Sequence, residues 1–265
     1  MKKMVNNYPN VIIKIVKEFN LKNGALIQCF PGQGLVGRIA GMQLIEYFNA
    51  ERAAKIFSSY FPHLVIFQGE LGKLVHAELW AIPKTKPPLL ILTGESQPQE
   101  GPEGMFQVLS ATLDLIEKWG INKVIAIGGF RPASDGDTPN VTGFAFTEKE
   151  AAKLKEQGIK LFTEGRVSGA VGVLTALASE RGLESYGLMG KVRPGERQAM
   201  AFGVDPLASK NVLEVLTKLL GFEMDLSKMD QMINDIEQTE ANAMKALEEL
   251  ERDKKQSKDQ QSYYL

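Results

Sequence analysis

Two stretches of this chain hold residue types that do chemistry in other folds. The first, residues 32–37, reads Gly-Gln-Gly-Leu-Val-Gly, a G-x-G-x-x-G run that follows an apolar strand pattern and opens a helical one. In that setting backbone N–H groups cradle a pyrophosphate, and an acid about 20 residues on holds the ribose. Glu51 stands near that distance, but it follows a helix pattern where the fingerprint wants the end of a second strand. The same glycines equally allow a tight turn and close packing of helix on strand. The second stretch, residues 128–146, reads as a long polar loop carrying Arg131, Asp135 and Asp137. Together with Glu95, Glu100 and Glu103 it supplies an arginine and several carboxylates, a set suited to a nucleoside or phosphorylated sugar. Its Asp-Gly and Thr-Pro pairs also suit turns without chemistry. Gly32, Gly34, Gly37, Arg131 and Asp135 are the residues a pocket would gather.

The remaining reactive types read as structural. His63 and His76 sit in or beside apolar strand patterns, as core or edge histidines do. Ser96 and Ser168 lack a G-x-S-x-G context, so no hydrolase nucleophile is expected. Cys29 lies inside an apolar strand pattern, where a thiol is inert. With one cysteine and two histidines, a Cys/His zinc site is not expected. No metal, no cofactor and no catalytic residue is expected.

These residues need a scaffold, and the 265-residue chain is long enough for one large α/β body. It is 44% hydrophobic and 24% charged with a formal net charge of −1, which gives no electrostatic case for nucleic acid or an anionic membrane. No apolar run reaches the roughly 18 residues of a membrane span, and the lone cysteine fits a reducing compartment; a soluble, cytoplasmic protein is expected. Strands are expected at residues 25–30, 63–67, 74–82, 89–94, 123–129, 159–162 and 185–190, several of them apolar on both faces. Helices are expected at 35–49, 102–120, 169–182 and 206–221. Such alternation predicts a mainly parallel sheet with helices on both faces.

Glycine is frequent up to Gly221 and absent beyond it, which sets an α/β body at 1–221 apart from a helical extension. Leu226, Met229, Ile233, Ile236, Glu240, Ala243, Leu247 and Leu250 are spaced alternately three and four apart, a heptad seam over residues 222–251. Such a seam packs either on its own body or between subunits; its length favours the second, with Leu226, Met229, Ile233, Ile236, Leu247 and Leu250 as oligomerisation residues. Residues 252–265 have the composition of a flexible spacer, ending in Tyr263, Tyr264 and Leu265.

The run 30–48 (FPGQGLVGRIAGMQLIEYF) and the segment 128–146, with "GGF" and "TPNVTGFAF", resemble the family named for the second proteasome assembly chaperone. The resemblance covers the body to about Gly221. It implies a three-layer α/β/α fold with a nucleoside-phosphorylase-like plan, protein contacts in place of catalysis, and a homo-oligomer. Tyr263-Tyr264-Leu265 is similar to the hydrophobic-tyrosine-any motif of proteasome-activating proteins, whose last residues enter pockets between α subunits of the 20S core particle. This implies docking on the 20S α-ring, for assembly, gate opening or both, with Tyr263, Tyr264 and Leu265 as the partner-binding residues. A nucleotide- or nucleoside-binding enzyme using the glycine loop is the competing expectation.

Overall fold

A strand without polar alternation must be covered on both faces. Leu-Leu-Ile-Leu-Thr-Gly, buried at every position, meets that condition near the centre of a ten-stranded sheet. The computed structural model describes residues 4–99, 101–132, 138–193 and 203–262. In chain order its elements are β1 (Met4–Tyr8), β2 (Val11–Ile15), β3 (Ala25–Gln28), α1 (Val36–Tyr47), β4 (Glu51–Ser58), β5 (Val65–Gln68), β6 (Leu71–Leu74), β7 (Ala77–Ile82) and β8 (Leu89–Gly94). There follow α2 (Gly101–Lys118), β9 (Lys123–Phe130), β10 (Val141–Ala145), α3 (Glu148–Glu156), β11 (Lys160–Leu161), α4 (Gly169–Glu180), β12 (Glu184–Lys191), α5 (Pro206–Leu220) and α6 (Ser227–Ser262).

The sheet runs β1-β2-β4-β7-β8-β3-β9-β12-β10-β11. It is mixed, and the expected parallel pairing holds at its centre, where β8, β3, β9 and β12 run together. From β8 outward to β7, β4, β2 and β1 every pairing is antiparallel, and β10 is antiparallel to β12. A short link explains the outermost pair: β1 turns into β2 across two residues, and only antiparallel neighbours join so tightly. β5 and β6 pair only with each other, as a separate hairpin. Of residues 63–67, expected as a sheet strand, 65–67 therefore belong to that hairpin and 63–64 precede it. Residues 141–145, expected inside a polar loop, form a strand of the sheet.

Two layers of helix complete the α/β/α plan. α2 and α4 close one face over Leu26, Leu90, Leu92 and Val124. α1 and α5 close the other over Ala25, Ile27, Ile91 and Ile125. Each of these leucine, isoleucine and valine side chains, fully buried, contributes about 1.5–3 kcal/mol. Helix ends are set locally. Asp205 caps α5 by accepting from Ala208 N at 3.0 Å, Pro206 occupies its first turn, and Gly221 ends it with φ 73°. Gly221 thus ends α5, and α6 follows after a short link whose Phe222 and Met224 pack on the same core as α1 and α5.

Candidate functional site

The glycine loop lies at the carboxyl edge of the central strands, as a nucleotide loop would, but its glycines are occupied by protein. A Cβ on Gly37 would lie 2.6 Å from Ile127 O and 2.9 Å from Phe30 O, so α1 packs against the backbone of β9 and of the segment that follows β3. Gly34 has φ 61°, and a Cβ there would meet Val192 at 2.9 Å. Its carbonyl accepts from Asp205 N at 2.7 Å, which latches the loop to the start of α5. Only Gly32 faces open space, with Gln97 Nε2 3.8 Å from where its Cβ would be. Glu51 begins β4 and pairs in register with Ala81, near the amino end of β8 and across the sheet from the loop. The two halves of the dinucleotide fingerprint thus lie on opposite edges.

Around Gly32 the edge is tied together by side chains. Gln97 donates to Pro31 O at 2.7 Å and accepts from Ala170 N at 2.9 Å, clipping the loop to the first turn of α4. Arg38 donates to Gly94 O at 2.9 Å and pairs with Glu95 at 3.0 Å. Lys73 of the hairpin reaches the same Glu95 oxygen at 3.3 Å. Beside this clip a groove of about 1110 Å³ runs along α4. Phe106, Phe130, Phe144, Phe146 and Phe162 line it, with Arg131, Arg166 and Glu164 near the α4 N-terminus and Glu180 at its other end. Phe130 and Phe162 meet edge to face at 5.2 Å, as do Phe144 and Phe146 at 5.9 Å. Glu150, 5% exposed, fixes this wall by accepting from Thr147 N at 3.0 Å and Ser185 N at 2.7 Å. Gly32 and Arg131 line the groove, whereas Gly34 and Gly37 do not, and Asp135 lies outside the described residues.

α6 is 36 residues of continuous helix, running through the stretch whose composition reads as a spacer. Its first turns close on the chain's own body: Met229 is 1% and Ile233 8% exposed, with Leu226 partly buried beside them. Ion pairs Lys228–Glu46 at 2.8 Å and Arg193–Glu237 at 3.1 Å flank this root. Ile236 is half-buried, and Ala241, Asn242, Ala243, Lys245 and Ala246 are exposed. The side chains of Leu247 and Leu250, and all of Tyr263, Tyr264 and Leu265, lie outside what is described.

Residues 26–244 match the PAC2 family. The chain belongs to that family. A relative from Methanocaldococcus jannaschii, the uncharacterised protein MJ1210, is 31% identical over 232 residues, 86% of either chain. Among solved structures, Pyrococcus furiosus PbaA, an archaeal homolog of proteasome-assembly chaperone, superposes with a TM-score of 0.74 at 25% identity, covering 96% of this chain and 99% of its own. Pyrococcus furiosus PbaB, an archaeal proteasome activator, gives 0.76 at 24% identity over 89% and 100%.

The other reactive residues of this PAC2 chain are held in structural roles. His76, 5% exposed, has Nδ1 2.6 Å from Leu74 O and Nε2 3.0 Å from Glu78 Oε1, and it stacks on Phe57. Burial pushes the Cys29 thiol well above its ordinary range, against the weaker pull of Arg38. Ser168 stands at the N-cap of α4. Among the described residues no cluster of three His, Cys, Asp or Glu could hold a metal, and no helix is long and apolar enough to cross a membrane. Sequence reading missed Gln97 and the phenylalanine groove. A signal was present: Phe130, Phe144 and Phe162 each sit at or near the end of a strand, interleaved with glycine at 128–129 and 143.

Proposed function

We propose that this chain is a proteasome assembly chaperone homologue that docks on the α-ring of the 20S core particle through Tyr263, Tyr264 and Leu265. The observation that carries the reading is α6, a helix rooted in the body at Met229 and Ile233 and running for 36 residues to Ser262, directly before the motif. At 1.5 Å per residue it spans about 54 Å, so it presents those residues far from its root. Similarity to PbaA and PbaB supports the proteasome as the partner. The chain works by contact, without catalysis, in the cytoplasm. As a homo-oligomer it brings several tails to one ring, and each bound tail raises the effective concentration of the next. Tails that bind the open ring better than the closed one shift the gate toward opening. The remaining seam residues, Ile236, Leu247 and Leu250, join subunits beyond the root.

The test is peptide hydrolysis by purified archaeal 20S core particle with the full chain and with a chain ending at Ser262. Stimulation by the full chain alone is expected for an activator. Co-sedimentation of the full chain alone, without stimulation, is expected for docking in assembly. Equal binding by both chains removes the motif from the mechanism.

A further inference from the structure

The outer half of the sheet is bare on one face. α1 and α5 pack on β8, β3, β9, β12 and β10, and α2 covers β2 from the opposite side. Val11, Ile13 and Ile15 are buried on that covered side, whereas Ile12, 40% exposed, and Lys14 face water on the other. Register aligns the bare face in rows. Ile12 lies opposite Phe57, which stacks on His76. Lys14 lies opposite Lys55, and Lys55 opposite Glu78. Past them Arg52 lies opposite Trp80 with its guanidinium 4.6 Å from the indole, and Val16, 39% exposed, follows the end of β2. Like charges directly opposite each other destabilise a strand pair. The carboxylate in that row is already engaged: Glu78 is 3.0 Å from His76, 3.0 Å from the Trp80 indole nitrogen and 3.3 Å from Arg52, and it stands 4.0 Å from Lys55. Burial first, then the charges of Arg52, Lys14 and Lys73, push the Lys55 ammonium down against the opposing pull of Glu78. Lys73 is held by Glu95; at the strand ends Glu51 is held by Lys17, and Glu18 lies beyond Val16. Among the described residues no carboxylate pairs with Lys14.

α6 is the complement in charge and in spacing. Beyond its root Ala241, Asn242, Ala243, Lys245 and Ala246 are exposed, so its own body leaves this stretch uncovered. Residues 235–251 carry six acids and one base. Their seam positions are Ile236, Glu240, Ala243, Leu247 and Leu250, apolar on either side of a single acid. The bare face repeats that order with the opposite charge, apolar on either side of two lysines. Four residues of helix rise about 6 Å, close to the ~7 Å between alternate residues of a strand. β2, β4 and β7 together are about 10 Å across, the width of one helix. We propose that α6 of one copy lies along β2 and β4 of a second copy, with the Glu240 position over Lys14 and Lys55 and the apolar seam positions over the rows beside them. The contact rests on the homo-oligomer reading and names the surface that the seam meets. A helix there completes the layer that α1 and α5 begin. The five residues of β2 run for about 17 Å, or about eleven residues of helix, so the end of α6 stays clear of the sheet.

Sedimentation velocity on the full chain tests it, with circular dichroism to confirm folding. Lys14→Glu with Lys55→Glu is expected to weaken self-association by about 30-fold or more, and Glu240→Lys by about tenfold. All three changes in one chain should recover most of the loss. Disulfide capture identifies the occupant, since the native thiol, Cys29, is buried. A Lys14→Cys chain mixed with a Glu240→Cys chain is expected to give a linked pair under mild oxidation, and neither chain alone should give it. If the wild type is oligomeric, the lysine reversal leaves association unchanged and no linked pair forms, this contact is wrong while the homo-oligomer reading stands. If the reversal breaks association but Glu240→Lys neither weakens nor rescues it and no pair is linked, the face takes another acidic surface and α6 is not its occupant. A disulfide that forms only inside single chains carrying both cysteines places α6 on its own sheet and overturns the exchange between copies. A wild type that stays single at every concentration tested removes the homo-oligomer reading itself, and this contact with it.

Discussion

Replacing Gly37 by alanine separates a packing role for the glycine loop from a ligand-binding one. The added Cβ would lie 2.6 Å from Ile127 O and 2.9 Å from Phe30 O, where ordinary contact starts near 3.4 Å. Both atoms are backbone oxygens, one in β9 and one in the buried segment just after β3, so neither can swing aside and α1 must retreat by somewhat under an ångström. Overpacking of this kind costs about 1–3 kcal/mol, and the rigid neighbours put it at the upper end. Alanine returns about 1 kcal/mol over glycine in a helix, which leaves a net loss of about 2 kcal/mol. In a chain of this size that lowers Tm by roughly 4–8 °C. Gly32→Ala is the control. Its φ of −158° is ordinary extended backbone and its nearest neighbour is 3.8 Å away, so a change within about 0.5 kcal/mol is expected. Urea and thermal unfolding followed by circular dichroism measure both, and ATP, NAD or phosphate should leave the wild-type Tm unchanged. A Gly37→Ala variant as stable as the wild type refutes the packing account. A nucleotide-induced rise in Tm that Gly32→Ala abolishes would establish the competing enzyme reading.

Three further outcomes follow from particular contacts. Gln97→Ala leaves Pro31 O and Ala170 N without their side-chain partner and should cost about 1–2 kcal/mol, read from the urea midpoint. Burial pushes the Glu78 carboxyl up, but the hydrogen bond with His76, the charge of Arg52 and the indole N–H of Trp80 outweigh it and hold the group at about 2. Because the folded value lies below the ordinary 4.3 or so, this stabilisation is complete above that pH and is lost as pH falls toward 2. Glu78→Gln should flatten that acid limb in a plot of urea midpoint against pH. Met229→Ala empties a site that is 1% exposed and should cost about 2–5 kcal/mol by thermal unfolding. On the proposed docking role, it should also weaken core-particle binding although the Tyr263–Leu265 motif is untouched.

The central strands were legible because burial on both faces leaves its mark in composition: residues 89–94 and 123–129 read as strands and lie in β8 and β9. Apolar composition does not say where burial happens, however. Residues 65–68 have the same character and lie exposed in a hairpin, because nothing in a short run specifies its neighbours. Residues 141–145 were hidden by threonine and glycine, and their strand is stabilised from outside by pairing with β12. The start of β4 was masked because Glu51 closely follows the amphipathic pattern of α1. At the site, the glycine spacing was visible but its cause was not, since the nearest atom that Gly37 admits, Ile127 O, comes from β9, ninety residues away. The heptad spacing likewise fixes a helix face without naming what covers it, and its first part, at Met229 and Ile233, closes on the chain's own body.

Among the described residues the buried contacts of α6 lie at its root, which makes the helix a lever. Over about 54 Å of helix, a tilt of some 10° at Met229 swings the far end by roughly 9 Å, more than the width of a side-chain pocket. Half-exposed ion pairs such as Arg193–Glu237 and Lys228–Glu46 are individually weak and screened by salt. The direction of the arm is therefore governed by the apolar seat of Met229 and Ile233, and a change of one methylene there is magnified along α6.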